Sequence, residues 1–252
     1  MKKIVQAKLI RFAFIALIFL LPCTAAVPVK NNIQTKPASA RNPFLRTLQK
    51  TLNRDAMYDS LHLNDLGLSR LAFNQGLTGL DLLIADGQIQ NGNLLSIADL
   101  SLPSSKKRLF IIDIAACKII FNTYVSHGRN SGREMATHFS NQPNSYESSL
   151  GFYVTGEAYN GHHGYSLKLN GKEEGINDNA FSRGIVMHSA AYVNERLATD
   201  NGCIGRSEGC PAIPEKYHRK LIEKIKNGTC LFLYSADKFY TAHSKMRSSE
   251  IG

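Results

Sequence analysis

The hydrophobic pattern changes period three times along the chain. Residues 12–21 (FAFIALIFLL) are an unbroken apolar run, preceded by Lys2, Lys3, Lys8 and Arg11 and followed by the small residues Thr24 and Ala26. A basic segment, a short apolar segment and small residues predict a secretory signal peptide, cleaved near Ala26; the run is short for a bilayer-spanning helix. Pro22 before Cys23 is a poor setting for lipid attachment. Residues 1–26 are therefore read as the signal, with no transmembrane segment after its cleavage. Residues 27–42 are polar, carry two prolines and predict a flexible lead-in.

A helical period comes next. Asn42 and Pro43 suit an N-cap and a first helical position. Phe44, Leu48, Leu52 and Ala56 recur every four residues and predict one apolar helical face. A second helix is predicted over 68–84, weakened by Gly76 and Gly79. The segment 43–93 thus reads as a small helical layer packed on the strand-rich domain after it.

From residue 94 the pattern shortens to strands. Residues 108–114 and 117–125 read as a hairpin of half-buried strands. Residues 150–155, the alternation of Tyr165, Leu167 and Leu169, the run 184–187 and the run 229–235 supply further strands. Pro214 opens a helix whose stripe is Tyr217, Leu221, Ile222 and Ile225, and Gly228 ends it. These signals predict a mainly β (α+β) domain over 94–240, then a loose polar tail at 241–252. No internal repeat is present.

The formal net charge is +10, and four of the basic residues lie in the leader. The surplus that remains suits anionic cell-wall polymers or simple solubility. No basic block interleaves with aromatics and no zinc-finger spacing occurs, so nucleic acid is not an expected partner.

Two residues carry the chemistry. His188 comes directly after the apolar run Gly184–Met187, where a buried strand would emerge. Cys210 sits in a turn punctuated by Gly205, Gly209, Pro211 and Pro214. A thiol held there suits a nucleophile, because backbone N–H groups of Gly209 and Cys210 can face a substrate oxygen. The competing reading is a disulfide between Cys203 and Cys210, which export would permit. Cys117 and Cys230 read as core residues. His127, in the loop SHGRNSG, is a second catalytic or substrate-contact candidate, or orders its turn. His162 and His163 are adjacent, and neighbours in sequence usually point apart; without HExxH or a cysteine cluster no metal site is expected. His218 lies within a predicted helix as a solvated or capping residue.

The stretch also resembles a known family. His188 with Ser207-Glu208-Gly209-Cys210 downstream resembles the catalytic signature of the L,D-transpeptidases of YkuD-like fold. The match is closer to a divergent murein branch with MHxAxYV and GRSxGCPA, as at 187–193 and 205–212. SHGRNSG (126–132), FSN (139–141), SSLGFY (148–153), GYSLKL (164–169) and NDNA (177–180) extend the resemblance over roughly residues 95–235.

The resemblance implies a β-sandwich catalytic domain in the periplasm or cell envelope, acting without a cofactor on peptidoglycan stem peptides. It implies that Cys210 attacks a stem carbonyl, that His188 takes its proton as a thiolate–imidazolium pair, and that a thioester forms. An acceptor amine would complete transpeptidation; water would give an L,D-carboxypeptidase. A non-catalytic peptidoglycan-binding protein of the same fold, or a different cysteine hydrolase, are the other classes. Papain-like enzymes place cysteine before histidine, the reverse of the order here. Two departures stand out. The commoner turn has His where Glu208 stands, and Arg where Ala212 stands. Arg206 and Arg183 are the candidates to replace that guanidinium toward a stem carboxylate. Ser189, Ser207, Asn177 and His127 complete the candidate substrate contacts.

Overall fold

A computed structural model describes residues 43–246, with side chains from Gln49 onward. The expected signal peptide and lead-in lie outside the described residues.

Two helices come first, α1 (Pro43–Ser60) and α2 (Arg70–Ala85). The strands are β1 (Leu94–Asp99), β2 (Leu109–Asp113), β3 (Lys118–Thr123), β4 (Gly151–Gly161), β5 (Gly164–Gly171), β6 (Val186–Ser189), β7 (Ala212–Ile213) and β8 (Cys230–Tyr234). Helix α3 (Glu195–Asn201) precedes β7, α4 (His218–Ile225) precedes β8, and α5 (Lys238–His243) comes after it. The hydrogen-bonded strand order is β3-β2-β1-β8-β4-β5-β6-β7. This mixed, mainly β arrangement with few helices is the α+β class the patterning predicts.

Helix α2 joins the first segment to the sheet. Ser69 Oγ caps it by accepting from Ala72 N, and Phe73, Leu77, Leu80 and Leu83 enter the same core as the strands. Gly79 marks where helix and sheet approach: a Cβ there would lie 2.2 Å from the Phe152 ring. That glycine lowers helix propensity but admits Phe152, which stacks on Phe232 at 4.1 Å between ring centroids.

Helix α1 docks differently from the expectation. Leu52 is 54% exposed and Ala56 is exposed, whereas Tyr58 is buried and its hydroxyl donates to Leu68 O. A four-residue spacing drifts about 40° per step around a 3.6-residue helix, so the predicted stripe winds off one face. Arg54, donating to Thr78 Oγ1 and Asp81 Oδ2, helps fix the face that meets α2. Phe44 and Leu48 lie outside the described side chains.

The central strands hold both directions. β1 pairs antiparallel with β2 and parallel with β8. β4 pairs antiparallel with β8 and β5, with a register shift between Thr155 and Ala158. Such an irregularity bends a strand and sharpens its twist. β6 pairs antiparallel with β5 and parallel with β7, where His188 stands opposite Ala212. A second, smaller cluster of Tyr124, Ala190, Val193, Ala198, Ile204 and Ala212 lies under the connection from β6 to β7.

One further expectation is corrected. Cys230 is fully buried, but Cys117 is exposed in the β2–β3 turn with φ +47°, its Sγ 3.2 Å from Ser60 Oγ. A positive-φ turn residue faces solvent rather than the hairpin's core. Beyond β8, α5 packs on the domain: Asp237 accepts from Tyr240 N, and Tyr240 is 1% exposed with its hydroxyl donating to Glu173.

Candidate active site

The parallel β6–β7 pair builds the site. β6 delivers His188 to its end, and the register brings the turn leading into β7 alongside. Cys210 lies two residues before Ala212. His188 and Cys210 therefore line one cleft of about 420 Å³, with Arg183, Arg206, Ser207 and Glu208.

His188 is 4% exposed. Its Nδ1 is 2.9 Å from Ser189 O. A carbonyl only accepts, so Nδ1 carries the hydrogen and Nε2 keeps a lone pair. Burial pushes the imidazole pKa down, the bond to Ser189 opposes this, and nearby His163 lowers it further.

Cys210 Sγ accepts from Val186 N at 3.5 Å and lies 3.8 Å from Gly184 O. Burial pushes the thiol pKa up; the Val186 N–H and the Arg183 guanidinium oppose it, and Glu208 adds to it. Among the described residues no hydrogen bond joins Sγ to the His188 ring. Burial thus works against charge on both groups, and so against the thiolate–imidazolium pair that the resemblance implies. Removing two charges from water in a half-enclosed site favours the neutral forms.

The nucleophile turn is clipped by one serine. Ser207 Oγ accepts from Gly209 N at 3.2 Å and donates to Cys210 O at 2.5 Å. Gly209 adopts φ +116°, and a Cβ there would meet Glu147 O at 2.8 Å. The Gly209 N–H is occupied within the turn, which corrects its expected role as a free oxyanion donor. The Cys210 N–H has no protein acceptor among the described residues.

The two arginines part company. Arg183 donates to Ser140 O, Ser149 Oγ, Ser145 Oγ and Glu147 O at 2.5–3.1 Å. Its Nη1–Nη2 edge is taken up by these four acceptors, binding the 140–149 loop against the turn, so that edge is not free for a carboxylate as expected. Arg206 Nη1 donates to Arg129 O and Gly132 O, leaving its other edge open.

Three candidates lie elsewhere. Asn177 is 0% exposed; its Nδ2 donates to Leu150 O and Phe152 O, and its Oδ1 accepts from Glu173 N. An amide with that set of buried backbone partners braces β4 and does not line the cleft. His127 is also fully buried, between Arg108 Nη2 at 2.7 Å and Gly132 O at 3.3 Å. Burial, with Arg108 beside it, pushes its pKa down to about 4. It orders its loop and does not reach the cleft. Ser189 contributes its carbonyl to His188 rather than a side-chain contact with the cleft.

Several cleft residues escape a reading of the sequence alone. Arg129 lies over the Tyr146 ring at 3.9 Å and pairs with Glu208 at 3.4 Å. Tyr192 and Asn144 line the cleft. His163, at the β4–β5 turn, stacks on His188 with centroids 4.3 Å apart and planes at 21°. The doublet HHG holds a signal: one of two neighbours on a tight turn can fold back while the other points away.

Cys117, Cys203, Cys210 and Cys230 are all free, so the alternative Cys203–Cys210 disulfide is absent. Among the described residues no group of three or more His, Cys, Asp or Glu could hold a metal. No described helix is long and apolar enough to cross a membrane.

A thiol, an imidazole with an open nitrogen and an unpaired amide at one cleft can perform nucleophilic attack on a carbonyl. A family model described as "L,D-transpeptidase catalytic domain" matches residues 65–234. The chain belongs to the L,D-transpeptidase catalytic-domain family. No curated protein matches. Among solved structures, an L,D-transpeptidase from Mycobacterium smegmatis aligns at 10% identity and TM-score 0.36, over 57% of this chain and 59% of that one. One from Stackebrandtia nassauensis aligns at 18% and 0.35, over 57% and 56%. The helical cell shape determining protein Pgp2 from Campylobacter jejuni aligns at 11% and 0.39, over 64% and 57%. The chain thus spans less than two thirds of each, and such distant likenesses do not carry a shared substrate or activity.

Proposed function

We propose that the protein is a cell-envelope cysteine acyltransferase that remodels peptidoglycan stem peptides through a thioester on Cys210. The observation that supports this best is the pairing of Cys210 and His188 on one cleft, with the imidazole's open nitrogen fixed by the Ser189 bond. In this reading the stem carbonyl enters beside Sγ. Catalytic hydrogen bonds are often loose in free enzymes and tighten with substrate bound. His188 Nε2 takes the thiol proton as sulfur attacks. The tetrahedral oxygen is stabilised by the Cys210 N–H, a donor type worth about 10²–10³ in rate. The C–N bond breaks, the amine of the released residue leaves with the proton from His188, and a thioester remains. An acceptor amine gives up its proton to His188 and attacks the thioester; sulfur leaves as the restored thiol. Water in place of the amine gives trimming.

Burial that disfavours charge on both groups fits this sequence of steps. A thiol activated only with substrate in place is protected from adventitious oxidants, since the thiolate is the reactive form. The test is incubation of purified protein with a disaccharide tetrapeptide, with and without a free D-amino acid, and then mass spectrometry. A transient adduct on Cys210 with exchanged or cross-linked product supports transfer. Shortened peptide alone indicates hydrolysis. Binding with neither adduct nor product overturns catalysis.

A further inference from the structure

The β4–β5 hairpin extends past its sheet neighbours and ends in the turn Gly161–Gly164, with His162 and His163 between. His163 is exposed on its outer side, yet its ring lies on His188 at 4.3 Å and lines the cleft. His162 meets His163 edge-on at 73° and forms no part of the cleft lining. We propose that His163 is a positioning residue, whose stacked ring fixes the plane of His188 and with it the direction of Nε2 in the cleft that both share with Cys210. This rests on the reading of His188 as the base.

His188 has one ring hydrogen bond, Nδ1–H to Ser189 O. A single bond at one ring atom leaves the imidazole free to pivot about it. A second ring laid nearly parallel on its face, at 21° and 4.3 Å between centroids, removes that freedom. The anchors come from different places, the strand's own end and a hairpin tip, so together they define a plane.

The stack also couples charge. A proton on His163 opposes a proton on His188, which needs to accept one in the attack step. Arg129, Arg183, Arg206, Glu208, Tyr192 and the Cys210 thiol face the same cleft and are unchanged by substitution at His163. A change of pH profile in a His163 variant therefore reports the stack itself.

The experiment compares His163→Ala with His163→Phe, which keeps a flat ring without a titrating proton. His163 is on an exposed turn, so both variants should fold; the dispersion of the amide NMR spectrum checks this. The readouts are the His188 ring-proton titration by NMR, and kcat and KM for acyl transfer. In His163→Phe, kcat should stay within about threefold and the His188 titration should move to higher pH. In His163→Ala the same move should come with a fall in kcat on the order of tenfold at unchanged KM, the cost of a loosened base. An unaltered His188 titration in both, or an Ala variant with wild-type kcat, overturns the proposal. The titration needs no turnover, so an inactive wild type would refute the catalytic reading while leaving the stack testable.

Discussion

His188 and His127 are both buried imidazoles whose pKa burial pushes down. They differ in what their second nitrogen meets. His127 uses both, accepting from the fully buried Arg108 and donating to Gly132 O. His188 uses one, and its other nitrogen has no protein hydrogen-bond partner among the described residues. Desolvation alone does not distinguish a working imidazole from a bracing one; an open lone pair does. The same contrast separates Arg183, whose two terminal nitrogens meet four acceptors, from Arg206, which has Nη1 alone engaged.

The contrast breaks most sharply at the cleft. Cys210→Ala should abolish the covalent adduct, a loss of about 10³-fold or more in transfer, with the melting temperature nearly unchanged. His188→Ala should lower the acylation rate by about 10²–10⁴-fold, read by single-turnover mass spectrometry. If His127→Ala lowered acylation equally, the two imidazoles would not be distinct.

His127→Ala should instead act on stability. It strips a buried guanidinium of an acceptor, costing about 1–3 kcal/mol in chemical denaturation. The pH dependence has a definite sign. The folded pKa, about 4, lies below the ordinary 6.5, so the unfolded chain takes up the proton first as pH falls. Stability is complete above about pH 6.5 and declines toward pH 4. His127→Gln, which keeps an acceptor and a donor, should flatten that decline while costing less at pH 7.

The smallest effect belongs to Arg183→Gln. Loss of the cation beside the thiol should raise the pH at which Cys210 becomes alkylated by iodoacetamide, because Arg183 opposes the upward shift. The rate at neutral pH should fall less than tenfold. An unchanged profile would assign Arg183 to loop bracing alone.

Part of this arrangement is legible in the sequence, for physical reasons. His188 and Cys210 stand out because strand ends and glycine turns write themselves into short windows. Periodic stripes such as Leu221, Ile222 and Ile225 are legible for the same reason, and all three are buried. Asn177 misleads because a polar residue in a polar run looks exposed, and only the fold shows the three backbone partners that bury it. His163 stays hidden because its meaning depends on a hairpin folding onto a more distant strand. Helix α3 leaves a readable mark: Asn194 caps it by accepting from Leu197 N, and Gly202 closes it at φ +67°.

The ladder between β6 and β7 is short, yet it lays the strand that carries the imidazole beside the turn that carries the sulfur. The arm joining the two strands closes over its own small apolar nucleus of Val193, Ala198 and Ile204. That arm is an outboard module. Changes at its exposed residues, such as Asp200 and Gly202, would leave that nucleus and the short ladder undisturbed, so this stretch of chain can vary in sequence while the two chemical groups keep their places.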